Sequence, residues 1–133
     1  MFGTGGLTLK SRYYKDLQLA SRFLFLSMTI VVIEQDIRFI EQGPFKIKTP
    51  YLDLLMKMNY IALNERKELQ KIMKSKNIQV IKHNQNKTFS SFLFLCQGRE
   101  EIRNYFNPAI RKKVEKIIQE LIRKSVDHVE VNS

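Results

Sequence analysis

The segment from Ser11 to Glu41 constrains the fold more than any other, because it carries two apolar stripes at helical spacing. Leu17, Ala20, Ser21, Leu24, Met28, Val31 and Val32 form one stripe. Phe23, Leu26, Ile30, Ile33, Ile37 and Ile40 form the other. Steps of three and four place residues on one helix face. A helix apolar on two sides must be packed by neighbours on both, so the pattern predicts a central helix. The β-branched run Ile30–Val31–Val32–Ile33 leans toward strand, and a break near Ser27–Thr29 stays open, but the length favours helix. The longest apolar run, Phe23 to Ile33, falls short of the roughly 20 residues that a transmembrane helix needs. Arg22 precedes it and Glu34 and Asp36 follow it. It reads as core, and no transmembrane segment is expected.

Local punctuation divides the rest. Gly43–Pro44 ends the first helix, and Phe45 to Lys48 reads as extended. Thr49–Pro50 opens a second helix as cap and first-turn proline. Its apolar face runs through Tyr51, Leu54, Leu55, Met58, Ile61, Ala62, Leu69, Ile72 and Met73. Near Ile78, Val80 and Ile81 the pattern turns strand-like, with a turn at Asn84–Gln85–Asn86. Thr88 to Tyr105 admits two readings, a returning strand or a helix. The spacing of Phe89, Phe92, Leu93 and Cys96 favours helix, against about 1 kcal/mol for Gly98 inside it. Asn107 and Pro108 then cap and start a helix whose face is Ile110, Val114, Ile117, Ile118, Leu121 and Ile122. The expected fold is mainly α: an antiparallel bundle of about four helices, with a short β-hairpin near 78–95 as the competing element. Residues 10–124 form its single domain, between flexible tails at 1–9 and 125–133.

Composition matters chiefly through charge. The chain has 23 Lys and Arg against 13 Asp and Glu, a formal net charge of +10. Such an excess favours polyanions: nucleic acid, anionic lipid or an acidic protein. The single cysteine, Cys96, forbids an internal disulfide and suits a cytoplasmic setting.

Three stretches carry a likeness to a known family: GPFKIKTPYL from Gly43 to Leu52, FLFLCQG from Phe92 to Gly98, and YFNPAIR from Tyr105 to Arg111. Over roughly Ile33 to Ile122 the chain resembles the small YhjD-type proteins of spore-forming Bacilli. The resemblance implies a helical bacterial protein made during sporulation. The shared motifs are structural punctuation, and no site residue is carried over by them.

Chemistry-bearing constellations are sparse. His83, His128 and Cys96 have no ligand spacing, so no metal and no cofactor are expected. The glycines at Gly3, Gly5 and Gly6 lack the Lys-Ser or Lys-Thr of a phosphate loop. Glu34, Asp36, Glu41, Glu100 and Glu101 read as paired surface carboxylates, with no partner in sequence for acid–base work. The aromatics Tyr13, Tyr14, Phe89, Phe92, Phe94, Tyr105 and Phe106 read as core. No enzyme is expected.

The basic runs remain. Lys57 to Lys82 holds seven Lys or Arg against Glu65 and Glu68, and Arg111 to Lys124 holds six against Glu115 and Glu120. Lysines at the start of the Pro108 helix also oppose its dipole, which hints at a use. The leading expectation is a binding or regulatory module that contacts an acidic partner, nucleic acid first. Lys71, Lys74, Lys76, Arg111, Lys112, Lys113 and Lys116 would serve as phosphate contacts. The other expectation is a structural or adaptor protein that forms homo-oligomers or docks a helical protein.

Overall fold

The computed structural model describes the backbone of residues 2–132 and the side chains of residues 10–126. Six elements follow one another: α1 (Phe2–Gln42), α2 (Thr49–Ser75), β1 (Ile78–Gln85), β2 (Phe89–Cys96), β3 (Arg99–Phe106) and α3 (Asn107–Asn132). The fold is therefore α+β, three helices with a three-stranded antiparallel sheet ordered β1-β2-β3. It is neither all-α nor a four-helix bundle, which corrects the expectation above. The tails expected at 1–9 and 125–133 lie outside the described side chains, apart from Ser125 and Val126.

The helix expected over Thr88 to Tyr105 is two strands. In β2 burial alternates strictly: Ser90, Phe92, Phe94 and Cys96 point inward. Leu93 and Leu95 face the other way, so both faces are apolar and the run mimics helical spacing. Gln97 and Gly98, both at positive φ (53° and 80°), form the two-residue connection to β3. Such turns suit the right-handed twist of a hairpin, and this is why Gly98 stands where it does. The β1–β2 turn sits slightly later than expected. Asn86 Oδ1 accepts the backbone N–H groups of Thr88 and Phe89 at 2.8 and 2.7 Å, an Asx turn. Asn107 reaches back to it: its amide donates to the Asn86 and Lys87 carbonyls, and its Oδ1 accepts the Ser90 hydroxyl. The residue that begins α3 thus also anchors the hairpin.

The chain divides into two compact units. The first takes Met1–Leu24 and Glu68–Ile110, and its buried side chains include Leu17, Ala20, Leu69, Met73, Ile78, Phe92, Phe94 and Cys96. The second takes Phe25–Lys67 and Arg111–Ser133, with Phe25, Leu26, Ile30, Ile33, Met58, Ala62, Val114, Ile117 and Leu121 buried. Each such aliphatic or aromatic side chain contributes about 1.5–3 kcal/mol when fully buried. α1 supplies core to both units, Leu17 and Ala20 to the first and Phe25, Leu26, Ile30 and Ile33 to the second, whereas Val31, a member of the first stripe, is exposed. Thr29, fully buried on α1, is tolerated because its hydroxyl donates to the Phe25 carbonyl at 2.7 Å. Among the described residues one stretch, Lys10–Gln42, is long and apolar enough to cross a membrane, with 44% of its most apolar window buried inside the protein. The core helix of a folded protein meets the same criterion.

Helix ends follow the local signals. Gly43 ends α1 where a Cβ would stand 2.6 Å from the Phe39 carbonyl oxygen. The Lys48 ammonium donates to the Glu41 carbonyl at 2.7 Å, satisfying a C-terminal acceptor of α1. The first bond of α2 runs from Leu52 N–H to the Lys48 carbonyl at 3.0 Å. Asn77, at φ 59°, leads the chain from α2 into β1, a left-handed position that Asn tolerates.

Candidate functional site

The seven cations named from the sequence divide between the two units. Lys71, Lys74 and Lys76 belong to the first unit, at the end of α2. Arg111, Lys112, Lys113 and Lys116 belong to the second, on the first turns of α3. Two of the first group are locally neutralised. Lys71 lies 3.5 Å from Glu68, one turn back, and Lys76 lies 3.4 Å from the carboxylate of Asp16. Lys74 lines a groove with Phe23, Gln70, Met73 and the start of β1.

The α3 group differs. All four side chains are exposed, and none has a carboxylate partner among the described residues. Lys113 rests 5.2 Å over the Phe25 ring, a contact worth about 0.5–1 kcal/mol at an exposed site. Lys112 and Lys116 stand one turn apart on the same flank, with Val114, Ile117 and Leu121 holding the opposite face in the core. The helix is fixed by its buried face, and its cations are presented to solvent at the positive end of the helix dipole. Together they make a concentrated anion-attracting surface.

A second polar cluster was not visible in the sequence. Asp16 is fully buried in the first unit. Its Oδ2 accepts the Gln97 side-chain amide at 2.8 Å, while Oδ1 faces Lys76. A buried carboxylate requires such partners. The clamp joins α1, the residue after α2, and the β2–β3 turn. Beside it, β3 turns Glu101 and Arg103 toward the same face as their cross-strand partners Phe94 and Phe92. Arg103 Nε donates to Glu101 Oε2 at 2.5 Å, and the Tyr13 hydroxyl donates to Glu101 Oε1 at 3.2 Å. Arg99 lies 4.8 Å over the Tyr13 ring. The hydrogen bond from Arg103 holds the Glu101 carboxyl below its ordinary range. Burial, with the Glu101 charge second, raises the Tyr13 phenol.

The cluster ties the start of α1 to the sheet through hydrogen bonds. Burial first, then the charges of Asp16 and Glu101, push the Cys96 thiol up. A nucleophilic cysteine needs the reverse, a lowered pKa and access. Glu100 and Glu101, within the helix expected over Thr88 to Tyr105, lie instead on β3. His83 is exposed on β1, and His128 lies outside the described side chains. Among the described residues no group of three or more His, Cys, Asp or Glu side chains could hold a metal ion.

The aromatics expected in the core divide. Phe92 and Phe94 are buried, whereas Tyr14, Phe89 and Phe106 are exposed. Other exposed rings, Phe39, Phe45 and Tyr51, gather at the connection between α1 and α2. The sequence signal for them was the alternation Phe45-Lys46-Ile47-Lys48, which reads only as an extended linker until its surroundings are known.

Comparison with known proteins agrees with the motifs at Gly43, Phe92 and Tyr105. No solved structure matches the chain. The protein YhjD of Bacillus subtilis (strain 168), itself uncharacterized, is 32% identical over 100 residues, covering 75% of this chain and 83% of that one. The YhjD protein family model matches residues 12–126, from within α1 to the last described side chain of α3, and the chain belongs to that family.

Proposed function

We propose that this protein is a non-catalytic binding module that holds nucleic acid by its phosphates, through the start of α3. The observation that carries the reading is the set of four exposed cations within two helical turns, unneutralised by any described carboxylate, in a chain of net charge +10. Lys71 and Lys76, tied to Glu68 and Asp16, are secondary contributors. Lys74 adds one cation in the other unit. Phosphate contacts of this kind position a duplex without reading its bases. Binding is therefore sequence-tolerant and salt-sensitive. The reading places the protein in the cytoplasm, where Cys96 stays reduced.

Gel-shift titration with duplex DNA and RNA at low and moderate salt tests it. The protein shifts both at low salt, and Arg111→Ala/Lys112→Ala/Lys116→Ala weakens the shift at least tenfold while its circular dichroism is unchanged. No shift at micromolar protein in low salt ends the nucleic-acid reading.

A second reading, self-association or docking of a helical protein, draws on Met56, Tyr60 and Leu63. These exposed residues lie at steps of four and three on α2. Sedimentation tests it: a monomer across the micromolar range, with no captured helical partner, removes it.

A further inference from the structure

Phe39, Phe45, Ile47 and Tyr51, around the α1–α2 connection, are 70%, 46%, 68% and 55% exposed. They are not scattered. Phe39, Phe45 and Tyr51 share one open groove of about 350 Å³ with Asp36, Ile40, Leu54 and Leu55. The Phe45 and Tyr51 rings meet with centroids 6.3 Å apart. Single exposed apolar residues are ordinary, but a contiguous patch marks a contact surface. The patch is also held in shape. Gly43 lets the chain pass close to the Phe39 carbonyl, and the Lys48 ammonium ties the connection to Glu41.

We propose that this tip is a wedge that inserts into the surface of an anionic phospholipid bilayer. Phe39, Phe45, Ile47 and Tyr51 enter the boundary between headgroups and acyl chains, and the exposed Lys46 meets the lipid phosphates. Two features select lipid over a protein partner. Apolar and cationic residues alternate along Phe45-Lys46-Ile47-Lys48, a mixture that suits the membrane interface. The net charge of +10 supplies attraction to an anionic leaflet. Three exposed acids, Asp36, Glu41 and Asp53, lie around the tip, so the attraction to an anionic leaflet comes from Lys46 and from the net charge of the whole chain. The α3 cations are a separate surface: Lys113 sits over Phe25, and Phe25 lies about 20 Å along α1 from Phe39. The two surfaces are therefore open to independent disruption, and the wedge does not rest on the nucleic-acid reading.

The chain has no tryptophan, so Ile47→Trp places a single indole at the tip. Vesicles of phosphatidylcholine alone, and of phosphatidylcholine mixed with phosphatidylglycerol, are the probes. The full chain co-sediments with the phosphatidylglycerol vesicles at least tenfold more strongly than with phosphatidylcholine, and the Ile47→Trp emission shifts to the blue only with the former. Phe39→Ser/Phe45→Ser/Ile47→Ser and Lys46→Glu each weaken vesicle binding at least tenfold, with helix content and DNA shift retained. A chain that stays in solution with both vesicles, or a serine variant that binds like the parent, overturns the proposal. So does a serine variant that turns a dimeric parent into a monomer without changing vesicle binding, which makes the patch a homotypic interface. Loss of DNA shift in that variant with vesicle binding intact overturns it too.

Discussion

Removing the Asp16 carboxylate should weaken the first unit by several kcal/mol, and the clamp geometry gives the size. Asp16 is fully buried and has two partners, the Gln97 amide at 2.8 Å and the Lys76 ammonium at 3.4 Å. A hydrogen bond to a charged group contributes about 1.5–3 kcal/mol. Asp16→Ala loses the Gln97 bond and opens a small cavity, while the exposed Gln97 amide turns to water. The Lys76 side chain is about half exposed, so its pairing is discounted toward the surface value of about 1 kcal/mol or less. Asp16→Ala is thus expected to cost about 2–4 kcal/mol. Asp16→Asn, which keeps the shape and an acceptor oxygen, is expected to cost about 1–2 kcal/mol. Lys76→Met costs about 1 kcal/mol alone and almost nothing on top of Asp16→Ala, because the two share one interaction. Urea denaturation followed by circular dichroism measures all four. An Asp16→Ala loss below about 0.5 kcal/mol, or strict additivity with Lys76→Met, refutes the clamp.

Three further outcomes follow from particular atoms. Gly43→Ala brings a Cβ to 2.6 Å from the Phe39 carbonyl; thermal melts should show a loss of about 1–3 kcal/mol, through strain at the end of α1. Asn59 Oδ1 is buried on α2 with no hydrogen-bond partner, so Asn59→Leu should raise stability by about 1 kcal/mol, read as a melting temperature several degrees higher. The Glu101 carboxyl is lowered chiefly by its hydrogen bond from Arg103. A lowered folded pKa contributes stability above the unfolded value of about 4.3 and loses it as pH falls through the folded value. Glu101→Gln should therefore be less stable than the parent at neutral pH by about 1 kcal/mol at most, given its partial exposure. Denaturation between neutral pH and pH 3 should show the gap close at the acid end; a gap independent of pH contradicts the pairing.

The helices were legible because their signals are local. The apolar spacing foretold a long α1 with a buried face, although Val31 of its first stripe is exposed, and Gly43–Pro44, Thr49–Pro50 and Asn107–Pro108 marked boundaries within a residue or two. The sheet was not legible for an equally physical reason. Phe89 to Cys96 is apolar on both faces, so period two and period three-to-four fit it alike. On β3 the inward-facing positions include Glu101 and Arg103, which inverts the usual pattern of charge outside. The Gln97–Gly98 turn also lacks the Asn-Gly or Asp-Gly pair that most strongly marks a hairpin. The Asp16 clamp depends on partners 60 and 81 residues away, beyond any local rule. The basic runs were visible as charge, but only the fold separates Lys71 and Lys76, which have acid partners, from the open cations of α3.

The salt dependence of DNA binding tests that last distinction most directly. Fluorescence anisotropy with a labelled duplex gives the slope of log affinity against log salt, to which each neutralised phosphate contributes about 0.9. Arg111→Ala/Lys112→Ala/Lys116→Ala is expected to flatten the slope by about 2–3 units, whereas Lys71→Ala changes it by less than about 1. An equal slope in the parent and the α3 variant would contradict the account.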